Sequence, residues 1–258
     1  MKKKLRNKEV NSNYIIELEN VTCTIDNNLL CKNVSFALEL GRHLTILWKD
    51  GLGKSTFMEI CTGLTNVKYQ GIVKHYGKNI KHYANDIIMK LRSKTGYVFQ
   101  NSALISNHNV FDNIALPLRY HSQKNNREID NIVNELISIY QIEEIQYLLP
   151  EMLTTSQSKI VAVARALVVK PNILFLDEPS LGLDHESFDF VVNRIKEFAQ
   201  QNNTITLVLT KSLSLSKALQ FPVAIFFKQK LTVPNHFGDS NNQSNAKSII
   251  SLNCRKVI

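Results

Sequence analysis

The segment Gly51-Leu-Gly-Lys-Ser-Thr56 constrains the fold of this 258-residue chain more than any other. It follows an apolar stretch, His43–Trp48, that is typical of a strand, and it leads into a helical pattern over Ser55–Leu64. A strand that enters a helix through a Gly-containing turn begins a strand–helix–strand unit, and such units build largely parallel sheets. The segment therefore predicts an α/β fold.

The rest of the chain also alternates between strand and helix patterns. Strands are predicted at Tyr14–Thr24, Val34–Leu40, Ile72–His75, Gly96–Phe99, Asn172–Leu176, Thr204–Leu209 and Val223–Phe227. Helices are predicted at His185–Gln200 and Leu213–Leu219, which favours a parallel second half. The stretch from Val110 to Val169 predicts a helical insertion into the sheet, with breaks at Pro117, Asn125–Asn126 and Pro150. Residues after Pro234 are rich in Asn, Ser and Gln and predict a flexible tail.

Composition excludes several classes of protein. With 44% hydrophobic and 21% charged residues, the chain is typical of a packed globular protein. Its longest apolar stretches, such as Val161–Val169, fall short of the roughly 18–20 residues that cross a bilayer, and no apolar segment follows the basic N-terminus. Neither a membrane span nor a secretory signal is expected. The four cysteines form no CxxC pair and no zinc spacing, which favours a reducing cytoplasm.

The net charge of +9 leaves two interpretations open. A basic protein can have an anionic partner, such as a nucleotide, a nucleic acid or a lipid surface. The chain is also rich in Lys, Asn and Ile together, as biased codon usage would produce. Charge alone therefore does not identify a partner.

The Gly51–Thr56 segment has the composition and context of a phosphate-binding loop. Backbone N–H groups of a Gly-containing turn and the positive end of a helix converge on an anion. We expect Lys54 to reach the β- and γ-phosphates of a nucleoside triphosphate and Ser55 to ligate Mg²⁺. The remaining loop residues are expected to surround the phosphates; these are Gly51, Leu52, Gly53 and Thr56.

A second chemical element is the apolar strand Ile173-Leu-Phe-Leu-Asp-Glu-Pro179, which ends in two carboxylates. Asp177 suits Mg²⁺, and Glu178 suits the polarisation of an attacking water. A helix N-cap would explain one of these acids but not both. The loop and the acid pair together predict a nucleoside triphosphate site.

With Tyr97-Val-Phe-Gln100, Ala164-Arg-Ala-Leu167 and Ser180-Leu-Gly-Leu-Asp184 added, the chain resembles the ATP-binding subunits of ABC transporters, from Tyr14 to Phe227. The resemblance implies a P-loop NTPase core of the RecA type, an antiparallel β subdomain and an inserted helical subdomain. It implies that Gln100 is the Q-loop glutamine, which organises Mg²⁺ with Asp177. It also implies ATP as the ligand.

The same resemblance implies an organisation and partners. A single cassette would cover residues 12–233, with its core at 12–98 and 163–233, its helical subdomain at 99–162 and a tail at 234–258. A second ATP-binding subunit, identical or different, and an integral-membrane permease are expected at the cytoplasmic face of the plasma membrane. Residues Phe99–Arg119 resemble most the Mla-type branch, whose ATPases drive phospholipid traffic between bacterial membranes.

Several positions depart from the family pattern. The first glycine of the phosphate loop is replaced by Trp48, which predicts either a strained turn costing roughly 1–2 kcal/mol or simple packing against the sheet. Lys211 stands where the family has its switch histidine and offers a flexible positive charge to the γ-phosphate. Ile25 or Asp26 stands near the place of the adenine-stacking aromatic.

The family signature Leu-Ser-Gly-Gly-Gln corresponds to Leu153-Thr-Thr-Ser-Gln157. Family members use it to cap the γ-phosphate that the opposite subunit holds. Thr154 and Ser156 are candidates for that contact, although Thr155 and Ser156 add side chains where two glycines allow close approach. The arginine expected next is Ile160. An alternative makes Ser156 only the N-cap of the following helix.

Two functions follow from this mixture. The first is a transporter ATPase subunit whose hydrolysis is slow, with Glu178, Gln100 and Lys211 as catalytic residues. The second is a non-hydrolysing module of the same fold that regulates or scaffolds an assembly. ABC proteins of DNA repair or translation are disfavoured, because they carry two cassettes or a long coiled-coil insertion. No nucleic-acid partner is therefore expected.

Overall fold

A computed structural model describes residues 14–49, 51, 53–63, 67–83, 85–201 and 204–232. Its main sheet has six strands: β3 (His43–Trp48), β6 (Thr95–Val98), β7 (Ile173–Asp177), β8 (Ile205–Thr210), β9 (Val223–Phe227) and β10 (Lys230–Thr232). Their order is β10-β9-β3-β8-β7-β6, and all neighbours are parallel except β10, which pairs antiparallel with β9. This arrangement confirms the predicted fold class.

A second, antiparallel sheet contains β1 (Tyr14–Ile25), β2 (Asn28–Glu39), β4 (Tyr69–His75) and β5 (Lys78–Asn79) in the order β2-β1-β4-β5. The turn between β1 and β2 consists of Asp26 and Asn27, both with positive φ, of 47° and 62°. Two such residues form the tight turn that suits a twisted hairpin. The turn brings β2 back at once, so β2 starts at Asn28 and not at the predicted Val34.

The described residues contain seven α-helices: α1 (Lys54–Thr62), α2 (Asn85–Arg92), α3 (Val110–His121), α4 (Asn126–Ile139), α5 (Thr155–Leu167), α6 (His185–Ala199) and α7 (Leu213–Leu219). The helices α3, α4 and α5 lie between β6 and β7 in the chain, as the predicted insertion requires. The predicted break at Asn125–Asn126 is present, because Asn125 caps α4 through a capping box with Glu128. A 3₁₀ turn, Pro150–Met152, forms the break predicted at Pro150.

The predicted break at Pro117 is wrong, because Pro117 lies inside α3. Proline lacks the N–H that would bond to the carbonyl of residue 113 and disfavours a helix interior. Here Ile114, Ala115 and Leu118 are buried on the same helix, at 0%, 0% and 4% exposure. Tertiary burial of this face thus outweighs the local penalty of one proline.

Some short elements were not predicted, namely α2, β5 and β10. Strands of two or three residues carry too little alternation for a pattern to be read. The tail predicted after Pro234 lies outside the described residues. Among the helices that the structure describes, none is long and apolar enough to cross a membrane.

Candidate functional site

Four neighbouring parallel strands deliver the candidate residues to one edge of the main sheet. Asp177 ends β7, Thr210 ends β8, Gln100 follows β6 by two residues, and Lys54 begins the helix that follows β3. In open parallel sheets, ligands bind in the crevice at the carboxyl ends of the strands. The sheet order places β3, β8, β7 and β6 side by side, so these side chains meet there.

Lys54 lies at the centre of this site. Its Nζ atom is 3.2 Å from Oε1 of Gln100 and 3.6 Å from Oε1 of Glu178, and it forms an ion pair with the carboxylate of Asp177. Lys54 and Asp177 are only 6% and 1% exposed. Buried charges need close partners, so the three oxygen-bearing side chains and the ammonium stabilise one another. The structure therefore brings these four predicted residues together.

Glu178 is held in a single orientation. Its Oε2 accepts a hydrogen bond of 2.7 Å from Oγ1 of Thr210, and its Oε1 accepts one of 2.9 Å from the backbone N–H of Lys211. The Glu178 backbone has φ 47°, a left-handed conformation that costs a non-glycine residue roughly 1–3 kcal/mol. Strain of this kind clusters where a side chain must be aimed, which agrees with a role for Glu178 in chemistry.

Lys211 contributes its backbone to this site, while its side chain is exposed. The hydrogen bond to Glu178 comes from the main-chain N–H, which any residue at this position except proline would supply. The predicted contact between the Lys211 ammonium and a phosphate stays a prediction.

In the described part of the phosphate loop, Gly53 has the backbone conformation that the sequence suggests. Gly53 has φ 87° and is the N-cap of α1, without a side chain to cap the first turn. The N–H groups of that turn are thus available to an anion. Ser55 and Gly51 are exposed and Thr56 is half-buried, while Leu52 lies outside the described residues.

Gly53 is also required sterically, because a Cβ atom built there would lie 1.9 Å from Cδ1 of Leu30 on β2. We expect Gly53→Ala to destabilise the protein by about 3 kcal/mol, combining this overlap with the penalty for positive φ. Urea unfolding measures the change. In a Leu30→Ala background the same substitution should cost only the backbone penalty, about 1 kcal/mol.

The matched control for this experiment is Gly51→Ala. Among the residues that the structure describes, none lies within 4 Å of a Cβ built at Gly51. Its stability should change by less than about 0.5 kcal/mol. Equal effects at Gly51 and Gly53 would contradict the steric argument.

Trp48 adopts the second of its two predicted roles. It is 1% exposed at the end of β3, and its ring stacks on that of Phe226 with a centroid distance of 3.6 Å and an interplanar angle of 3°. Phe57 of α1 lies against the same ring at 5.4 Å. Trp48 is not among the residues with positive φ. The backbone strain expected at Trp48 itself is therefore absent, while Asp50 and Leu52 of the following turn lie outside the described residues.

The signature residues engage their own chain. Thr154 is the N-cap of α5 and forms a capping box with Gln157. The alternative that made Ser156 the N-cap is wrong, because the hydroxyl that accepts from the third residue of the helix belongs to Thr154. Ser156 instead donates a hydrogen bond of 2.6 Å to Oδ2 of Asp184, the N-cap of α6.

The contact with Ser156 also changes the electrostatics of Asp184. Hydrogen bonds from Ser156 and Ser187 lower the pKa of Asp184 to about 2. Beside it, Gly182 has φ 77°, and a Cβ built there would lie 2.6 Å from Cγ2 of Thr155. The side chains that replace the signature glycines thus pack against the 182–184 turn of the same chain.

Sequence analysis missed the role of a cation on α5. Lys159 is 1% exposed and donates hydrogen bonds to the carbonyl oxygens of Phe99 and Gln100, at 3.2 and 2.8 Å. Burial lowers the pKa of Lys159 to about 8, although the charge of Asp177 acts in the opposite direction. A lysine within an apolar helical run was the available signal, since a buried ammonium must find acceptors.

The oxygen atoms around Lys54 suit a magnesium ion. Carboxylate, amide and hydroxyl oxygens are the ligands that Mg²⁺ takes, and Asp177, Gln100 and Ser55 supply one of each. Oxygens of Asp177 and Gln100 already converge on a cation, the Lys54 ammonium. The residues therefore fit the ion that their sequence predicted.

Comparison with known proteins agrees with this geometry. The family described as ABC transporter matches residues 31–181. The methionine import ATP-binding protein MetN of Clostridium tetani is 28% identical over 218 residues, which are 84% of this chain and 68% of that protein.

Solved structures share the fold. The ATP-binding cassette MJ0796, in a dimeric post-hydrolysis state bound to ADP and Pi, aligns with a TM-score of 0.77 and 24% identity, over 84% of this chain and 96% of that one. The protein cbiO1 of Clostridium perfringens, part of the complex cbiONQ, aligns with a TM-score of 0.71 and 24% identity, over 87% and 90%.

Proposed function

The chain belongs to the ABC transporter family as an ATP-binding cassette, and we propose that it binds ATP with Mg²⁺ to drive transport through a separate permease. The observation that carries this proposal is the convergence of Gln100, Asp177 and Glu178 on the buried ammonium of Lys54. A bound triphosphate can replace these side chains as the partner of the Lys54 ammonium, which then neutralises phosphate charge.

The proposed chemistry is in-line attack of water on the γ-phosphate, achieved by positioning and electrostatics. Glu178 would accept a hydrogen bond from the attacking water and so orient it, and the Thr210 hydroxyl and the Lys211 amide hold that carboxylate in place. Asp177, Gln100 and Ser55 would hold Mg²⁺, which supplies neutralisation of the phosphate charge when bound.

The proposed organisation follows the sequence prediction. Residues 12–233 form one cassette, with a core at 12–98 and 163–233 and a helical subdomain at 99–162. A second ATP-binding subunit, identical or different, completes each site, and the pair lies peripherally on a permease at the cytoplasmic face of the membrane. Support comes from the dimeric state of MJ0796 and from cbiO1 as part of a transporter complex.

A groove beside the Gln100 loop is our candidate docking site for the permease. It has a volume of about 460 Å³ and lies between the core and the helical insertion, with Tyr97, Phe99 and Ala103 on its walls. Its rim exposes large apolar side chains, Tyr120 at 78% and Met89 at 51%. Exposed aromatic and methionine side chains are typical of protein interfaces. Since Phe99 precedes Gln100, an occupant of this groove lies next to the nucleotide site.

We expect Tyr120→Asp to weaken association with the permease at least about 10-fold, because aromatic side chains dominate interface affinity. Copurification of the cassette with detergent-solubilised permease measures the effect. The matched control is Tyr147→Asp, since Tyr147 is equally exposed at 74% but does not line the groove. Both variants should melt like the wild type. Full retention of Tyr120→Asp by the permease would reject this docking surface.

The transported substrate has two candidate assignments. The segment Phe99–Arg119 supports the predicted phospholipid branch, whereas the likeness to MetN supports methionine or a related amino acid. Transport assays of the permease complex with each substrate class separate the two.

A second candidate function is a non-hydrolysing cassette that regulates or scaffolds its assembly. Its support is the packing of Thr155 and Ser156 against the 182–184 turn. These two signature residues are thus engaged in contacts within their own chain. ATP turnover by the permease complex distinguishes this function from the first.

A further inference from the structure

The loop that carries Gln100 has an unfavourable backbone conformation. Ser102 and Ala103 have φ of 62° and 45°, left-handed values that cost non-glycine residues free energy. Two short-range hydrogen bonds stabilise the loop from within: Ser102 N–H donates to the Phe99 carbonyl at 3.0 Å, and Ala103 N–H donates to the Asn101 carbonyl at 2.8 Å. A strained loop of this kind persists only where its surroundings hold it.

Two cations of α5 hold this loop from outside. Lys159 donates to the carbonyls of Phe99 and Gln100, and Arg165 donates to those of Ser102 and Ala103, at 2.7 and 2.8 Å. Hydrogen bonds from charged donors are about twice as strong as those between neutral groups. The two cations are therefore strong enough to offset the backbone strain.

We infer that Lys159 is a positioning residue for Gln100. By holding the backbone carbonyl of Gln100, Lys159 directs the Gln100 side chain to the ammonium of Lys54. The Lys159 ammonium reaches the Gln100 carbonyl at 2.8 Å, and Oε1 of Gln100 in turn lies 3.2 Å from Nζ of Lys54. Because Lys159 fixes the backbone of Gln100, the side-chain amide of Gln100 can adopt few positions near Lys54. The inference rests on the proposed function for its consequence, but not for its geometry.

The burial of Lys159 makes it depend on the Q-loop carbonyls. An ammonium in the interior loses hydration, and the Phe99 and Gln100 carbonyls supply acceptors that compensate for this loss. Its charge also lies in the field of Asp177 and Glu178, which favour it, and of Lys54, which opposes it. Lys159 is thus buried at the place where the Phe99 and Gln100 carbonyls need hydrogen-bond donors.

The first test is hydrogen exchange in the full chain without nucleotide. Lys159→Met keeps the length of the side chain and removes the donor, whereas Lys159→Gln keeps an N–H donor. In Lys159→Met, the amides of Ser102 and Ala103 should exchange at least about 10-fold faster, while the amides of β8 stay within about 3-fold of the wild type. Lys159→Gln should exchange within about 3-fold of the wild type.

The second test is the dependence of nucleotide affinity on Mg²⁺, measured with a non-hydrolysable ATP analogue. Lys159→Met should lose most of the increase in nucleotide affinity that Mg²⁺ produces, and it should keep the affinity measured in EDTA. The reason is that Gln100 is expected to contact the ion, whereas Lys54 is expected to contact the phosphates. Lys159→Gln should recover the gain. An equal loss with and without Mg²⁺ would contradict positioning of Gln100.

The exchange result separates this inference from the proposed function. If the wild type binds no nucleotide, the proposed function fails, and the exchange of Ser102 and Ala103 still decides the role of Lys159. Unchanged exchange in Lys159→Met overturns the inference. An equal increase in the exchange of the β8 amides also overturns it, since that result shows a general loss of stability.

Discussion

Glu178→Gln should reduce ATP turnover by the permease complex at least about 100-fold while leaving ATP affinity within about 3-fold of the wild type. The Glu178 carboxylate is buried and is held by the Thr210 hydroxyl and the Lys211 amide, and its backbone has a positive φ. An amide of the same shape keeps an oxygen for the Lys211 N–H but cannot act as a base. Lys54 and the α1 N-terminus, which are expected to bind the phosphates, are unchanged.

A companion variant is Thr210→Val, which keeps the side-chain volume and removes the donor to Glu178, together with the oxygen that accepts from the Ser212 backbone N–H at 3.0 Å. Turnover should fall about 10-fold, because the carboxylate remains but loses one of its two fixed hydrogen bonds. Phosphate release from the purified complex in lipid nanodiscs measures both variants. If the wild type and Glu178→Gln both remain at background, the non-hydrolysing function is correct and the chain is a regulatory or scaffold subunit.

Much of the central cluster was predictable from the sequence. Lys54 and Asp177 stand at the ends of apolar strands, and neighbouring parallel strands deliver their ends to one edge. For such residues the strand pattern of the sequence is sufficient to predict that they lie close together, because neighbouring parallel strands end at the same edge of the sheet. The same reasoning predicted the α/β fold, which the topology and the structural neighbours confirm. Gln100 was predicted through the resemblance to the family.

Contacts between distant segments were not predictable in this way. Ser156 and Asp184 are 28 residues apart, and Lys159 lies 59 residues from Gln100. Each residue satisfies its local rules as a helix residue or an N-cap, so periodicity gives no sign of its partner. Likewise Trp48 could be judged only against a family pattern, whereas its actual partner, Phe226, lies on a strand near the end of the described chain.

Lys54→Met should have two separate effects, a loss of ATP affinity of about 100-fold and a loss of stability of about 3–5 kcal/mol without nucleotide. Affinity falls because the ammonium is the expected partner of the β- and γ-phosphates. Stability falls because Asp177, at 1% exposure, and Glu178, at 6%, lose the buried cation that they face. Isothermal titration calorimetry and urea unfolding measure the two effects.

Adding Asp177→Asn to Lys54→Met distinguishes the two effects. An asparagine removes the unpaired buried charge, so most of the lost stability should return, with a coupling energy of about 2–3 kcal/mol in the double-mutant cycle. ATP affinity should not return, because the double variant has neither the ammonium nor the predicted Mg²⁺ carboxylate. If affinity recovers together with stability, Lys54 acts on nucleotide only by keeping the site folded, and the proposed phosphate contact is wrong.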